Sequence, residues 1–141
     1  MYQKDFIMRM IQMIAEVIAR ILGLIKDGDP EQANLLLENA YHDFLKKDAS
    51  FFRNLPKEKL TVDLLTEHNY TNGHLKILSE LFFAEGELNF VKDDMETSLN
   101  YYEKSLLLLE FSEESSNTFS LSSEAKINLL KEKIETLKCK I

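Results

Sequence analysis

LKILSELFFAEGELNFVKDDMETSLNYYEKSLLLL, residues 75–109, decides the fold. Ile77, Leu81, Ala84, Leu88 and Val91 recur at alternating spacings of four and three, and Met95, Leu99, Tyr102, Leu106 and Leu109 repeat that rhythm. The alternation is that of one buried helix face. Between the two runs lies Lys92-Asp93-Asp94, a short acidic turn whose aspartates suit a helix cap better than a helix interior. Helices joined by so short a connection lie antiparallel. Small side chains at Ser98 and Ser105, with the large Tyr102 between them, then supply the close approach such a pair needs. The spacing predicts an antiparallel hairpin over 72–91 and 94–111, packed through Ser98, Tyr102 and Ser105.

Moving upstream, GDPEQANLLLENAY lies over DDMETSLNYYEKSL when Asp29 is set on Asp94. In that register Ala33 falls on Ser98, Leu37 on Tyr102 and Ala40 on Ser105. Gly28 suits a left-handed stop, Asp29 an N-cap and Pro30 the first position of the next helix. A first hairpin is therefore expected over 1–47, with helices from Asp5 to about Ile25 and from Pro30 to about Lys47. Residues 48–70 read as an irregular connector with short helices around SFFRNLP and LTVDLLTEH. Thr71 or Asn72 caps the helix that follows. The second hairpin fills 71–111. SEESSNTFSLSS, within 112–122, reads by composition as a flexible loop. A last helix over 123–141 carries Ile127, Leu130, Ile134 and Leu137 as one seam and is expected to cover the exposed end of the stack.

The bulk composition agrees. With 141 residues, 4 Gly and 2 Pro, the chain suits one all-α domain with a core of its own. A net charge of −7 leaves no basic module: residues 1–70 hold 9 basic and 11 acidic groups, and 71–141 hold 8 and 13. Phosphate recognition needs clustered Lys and Arg, so nucleic acid is not an expected partner. The single cysteine, Cys139, has no internal mate, which points to a reducing cytoplasm. The opening MYQKDF lacks the features of a secretory signal, and Arg9, Glu16 and Arg20 interrupt the following apolar run, so it is no membrane span.

That first helix is unusually apolar. Ile7, Ile11, Ile14, Ile18, Ile21 and Ile25 form one stripe; Phe6, Met10, Met13, Val17 and Leu24 form a second beside it. Met8, Ala15 and Leu22 widen the other side. The arc spans roughly 220°, against roughly 100° for an ordinary surface helix. One antiparallel neighbour does not cover it. Either the helix is central in the monomer, or Phe6, Met10, Met13, Val17 and Leu24 meet another chain, with a homodimer as the favoured partner. Docking to a membrane surface is a weaker alternative, because Lys4, Arg9, Arg20 and Lys26 are balanced by Asp5, Glu16 and Asp27.

Chemistry has little to stand on. His42, His68 and His74 fall in no metal-ligand spacing, no glycine-rich phosphate loop occurs, and Asp93-Asp94 and Glu113-Glu114 read as solvated or capping carboxylates. No catalytic, cofactor-binding or metal-ligating residue is expected, and no cofactor. The reading is a non-enzymatic interaction scaffold. Its alternative is a ligand or enzymatic site in the groove between hairpins, lined by Glu80, Glu87, Asn89, Asn100 and Tyr101.

Gly86, the Asp93-Asp94 turn, and Ser98, Tyr102, Ser105 and Leu106 resemble the tetratricopeptide-repeat family, in which a small residue of one helix faces small residues of the next across a Gly-Asp-like turn. Serine stands here where alanine is commoner, and Asn89 where an aromatic is usual. The resemblance implies a right-handed stack of helical hairpins ended by a capping helix, and protein binding as its role. DFIMRMIQMIAEVIARILGLI with its acidic turn also resembles a group of small helical proteins of Gram-positive bacteria carrying a domain of unknown function. That likeness implies a fold and no activity.

Overall fold

The computed structural model describes residues 2–116 and 120–141, with side chains described for 6–115 and 120–141. Among these, seven α-helices follow in order: α1 (Tyr2–Lys26), α2 (Pro30–Leu45), α3 (Ala49–Arg53), α4 (Val62–Glu67), α5 (Asn72–Val91), α6 (Met95–Ser116) and α7 (Leu121–Lys140), with a 3-10 turn at Lys57–Lys59. Among the described residues there is no strand, and the chain is all-α.

Helix α5 is the hub. It packs against α1, α2 and α6, while α7 lies on α6. This centrality explains why Leu75, Ile77, Leu78, Leu81, Phe82, Phe83, Ala84 and Leu88 are all buried, on more than one face of the helix. Two cores result among the described residues. The larger joins Ile14, Ile18 and Ile21 of α1 with Leu37 and Tyr41 of α2, Phe52, Leu60 and Leu64 of the connector, and Phe82 of α5. The smaller joins Phe83, Tyr102 and Leu109 to Leu130, Ile134 and Leu137 of α7. Adjacent Tyr101 and Tyr102 fall on opposite sides of this division.

The two short hairpin turns repeat each other bond for bond in the register that sets Asp29 on Asp94. Asp27 N–H donates to the Gly23 carbonyl at 2.9 Å, and Lys92 N–H to that of Leu88 at 3.3 Å. Asp29 N–H reaches back to Leu24 at 2.9 Å, and Asp94 N–H to Asn89 at 3.0 Å. Gly28 has φ 83° and Asp93 φ 63°. Both turns therefore reverse through a left-handed residue. Both next residues cap: Asp29 Oδ1 accepts from Gln32 N–H at 3.2 Å, and Asp94 Oδ1 from Thr97 N–H at 3.2 Å. Each bond satisfies a donor that the first helical turn leaves free.

Within α5 and α6, the packing residues meet directly. A Cβ placed on Gly86 would overlap the Tyr102 ring. Ser98 Oγ donates to the Gly86 carbonyl at 2.7 Å. Ser105 Oγ donates to the Ser79 carbonyl and Ser79 Oγ to the Ser105 carbonyl, both at 2.7 Å. Serine here lets the backbones approach while its buried hydroxyl is satisfied by a carbonyl of the facing helix.

Helix α6 runs further than the sequence reading gives it. The loop expected at 112–122 is helical to Ser116 and again from Leu121, and 117–119 lie outside the described residues. The reason is local: no Gly or Pro interrupts FSEESS, and buried Ser112 Oγ bonds back to the Leu109 carbonyl at 3.0 Å. Helix α2 stops at Leu45, short of the expected Lys47, because Lys46 adopts φ 64°.

Candidate functional site

The second apolar stripe of α1 divides. Phe6 and Met13 are 59% and 56% exposed, whereas Met10 is 8% exposed and joins the main core. Val17 is half-buried. These four line one side of a groove of about 610 Å³. Leu24, expected with them, lies outside it and packs partly buried on the main core, where the turn into α2 draws the helix end inward.

The opposite wall comes from two separate segments. The end of α2 supplies Asp43, Phe44, Leu45, Lys46 and Lys47; the entry to α5 supplies His68, Tyr70 and His74. Tyr70 holds the corner closed, its hydroxyl donating to the Leu45 carbonyl at 2.5 Å and its ring 5.2 Å from that of His74. His74 completes a capping box. Thr71 N–H donates to His74 Nδ1 at 3.0 Å, and His74 N–H to Thr71 Oγ1 at 3.3 Å. An accepting Nδ1 requires the neutral ring. Burial also holds the His74 pKa below its ordinary value, so geometry and solvation agree. His68 stands edge-on to Phe51 at 5.1 Å. The two histidines serve as walls here. Among the described residues, no group of three His, Cys, Asp or Glu side chains is placed to hold a metal ion.

A floor of Met10, Phe44 and Leu45, an apolar wall with two exposed side chains and a rim of Lys46 and Lys47 suit an amphipathic helix laid lengthwise. Its polar lining is Asp43, Lys46, Lys47, His68, Tyr70 and His74, of which Tyr70 and His74 are already engaged by bonds within the fold.

The five polar residues expected to converge between hairpins are apart. Glu80 pairs with Lys126 at 3.0 Å, and Glu87 with Lys133 at 3.1 Å and with the Tyr102 hydroxyl. Asn89 Nδ2 donates to the Glu85 carbonyl at 2.8 Å, Asn100 is exposed, and Tyr101 is buried in the main core. Glu80 and Glu87 of α5 both turn to lysines of α7, Asn89 bonds back within α5, and Asn100 and Tyr101 of α6 face solvent and the main core, so one cavity does not collect the five. A smaller cavity of about 260 Å³ between Ile11, Ile77 and Lys126 takes only Glu80 of the five.

A polar cluster missed by the sequence reading ties α2, α3 and α5. Glu85, 2% exposed, accepts from the Tyr41 hydroxyl at 2.8 Å and from Arg53 Nε at 2.5 Å. Arg53 reaches on to Glu38 at 2.9 Å and Asn34 at 2.8 Å. Burial lowers the Arg53 pKa, but the hydrogen bond and charge of Glu85 outweigh it, and the guanidinium is held above its ordinary value. Burial and then the Glu85 charge raise Tyr41 well above its usual range and push Tyr101 up to about 12. Every member is engaged inside the fold, so the cluster works as a clamp. One signal for it existed: Glu85 occupies the apolar stripe between Leu81 and Leu88.

No family model, curated protein or solved structure matches this chain. Among the described residues, no helix is long and apolar enough to cross a membrane.

Proposed function

We propose that the chain is a non-enzymatic protein–protein interaction module, a tetratricopeptide-like stack of hairpins ended by α7, whose docking face is the groove along α1 and whose occupant is the α1 helix of a second copy. The reading rests on the exposure of Phe6 and Met13, large apolar side chains one heptad apart beside a ready groove. Burying such a stripe against another apolar helix is the main driving force for association. The setting is the cytoplasm, where the exposed Cys139 stays a thiol.

Sedimentation velocity at micromolar concentration tests this. The wild type is expected to sediment as a dimer, and Met13→Asp as a monomer with unchanged helicity by circular dichroism. A wild-type monomer, or a dimer indifferent to Met13→Asp, overturns the assignment.

A further inference from the structure

Charge order along α1 specifies how the second copy lies, an inference that rests on the docking reading above. At about 100° per residue, Arg9 and Glu16 fall on one flank of the Phe6–Met13 stripe, away from the groove wall. Both are exposed. A two-fold contact between identical helices is isologous, so whatever residue i meets, its mate meets in return. A parallel two-fold sets this flank of each helix against the opposite, apolar flank of the other, where Met10 and Val17 stand, so neither Arg9 nor Glu16 meets a charged partner; an antiparallel two-fold sets like flanks together. An antiparallel arrangement centred between Gln12 and Met13 sets Arg9 beside the partner's Glu16 and Glu16 beside the partner's Arg9.

That centre also orders the apolar stripe. With a rise of about 1.5 Å per residue, Met13 lies within about 1 Å of the two-fold along the axis and packs on the partner's Met13. Phe6 comes within one position of the level of the partner's Arg20, whose guanidinium is placed to lie over the ring. We infer that the docking face closes on a second copy as an antiparallel α1 pair, centred between Gln12 and Met13 and fixed in register by two reciprocal Arg9–Glu16 pairs. Two copies of a chain with net charge −7 repel at long range, so this local complementarity selects the encounter.

Single cysteines placed in a Cys139→Ser background read the geometry directly. Opposed Cα atoms at a close helix crossing lie within disulfide reach, so Met13→Cys is expected to cross-link to itself on mild oxidation. Phe6→Cys is not, since the two copies of residue 6 stand about 20 Å apart along the axis. Charge reversal reads the register. Arg9→Glu and Glu16→Arg are each expected to weaken self-association about tenfold, and the double variant to recover to within about threefold of wild type. Cross-linking at both positions means a parallel pair and overturns the inference. So does a dimer with neither cross-link, or one whose charge-reversed singles associate like wild type. Those results leave the docking reading standing if Met13→Asp still yields monomers, whereas a monomeric wild type removes both.

Discussion

Gly86→Ala isolates the contact on which the second hairpin depends. A methyl added at residue 86 would stand inside the contact distance of three ring carbons of Tyr102. The ring has little room to move: Tyr102 is 1% exposed, lies in the smaller core with Phe83 and Leu109, and anchors its hydroxyl on Glu87. Overpacking of this kind costs about 1–3 kcal/mol, and a collision so close to the backbone belongs at the upper end, about 3. Replacing a helical glycine by alanine returns about 1 kcal/mol of propensity. The expected net loss is about 2 kcal/mol, a fall in melting temperature of roughly 6 °C for a chain of this size. Gly23→Ala is the internal control, because nothing lies within 4 Å of a Cβ there. That variant should gain up to about 1 kcal/mol. The equivalent positions of the first hairpin suggest the rescue. Ile21 and Leu37 stand where Gly86 and Tyr102 stand in the second, and both are fully buried. In a Tyr102→Leu background, Gly86→Ala should therefore lose at least about 1 kcal/mol less than it does alone. Urea titration followed by circular dichroism measures all of these proteins. A Gly86→Ala variant as stable as wild type would show that α5 and α6 are not held at this distance by the glycine.

Two further outcomes follow from the buried groups. Glu85→Ala leaves the Arg53 guanidinium and the Tyr41 hydroxyl without their main partner and should cost about 3–5 kcal/mol in urea titration, with Glu85→Gln less severe; a loss below about 1 kcal/mol refutes the clamp. His74 makes stability depend on pH. Its folded pKa lies below the ordinary 6.5, so the unfolded chain takes up the proton first as pH falls. The contribution is complete above the unfolded pKa and declines as pH drops through 6.5 towards the lower folded value. The urea midpoint should fall more steeply below 6.5 in wild type than in His74→Gln, and parallel profiles would exclude the neutral-histidine cap.

Much of the helical framework was legible because it depends on local signals. Thr71 before a helical run, Asp29 before Pro30 and Gly28 behind a periodic stretch state their roles within a few residues. Gly86 entered only through the tetratricopeptide resemblance, as a small residue facing the next helix; that the Tyr102 ring is what fills the space above it needed the packed structure. What stayed hidden depends on residues far apart in the chain. The groove opposite Phe6 and Met13 is built from Lys46, His68, Tyr70 and His74, and no local pattern announces that they share a wall. The Glu85–Arg53 clamp joins α5 to a short helix whose sequence reads as connector. Helix α6 outran its expected end because no glycine or proline interrupts the serine-rich stretch, and Ser112 is buried with its hydroxyl on the Leu109 carbonyl.

Tyr101 and Tyr102, neighbours in the chain, feed different interiors, and the protein has no tryptophan to outshine them. Among the five tyrosines, these two, labelled singly, are gauges of separate interiors one peptide bond apart. Detachment of α7 would wet Tyr102 and leave Tyr101 dry, so the order in which their signals change says whether this molecule melts as a unit or peels from one end.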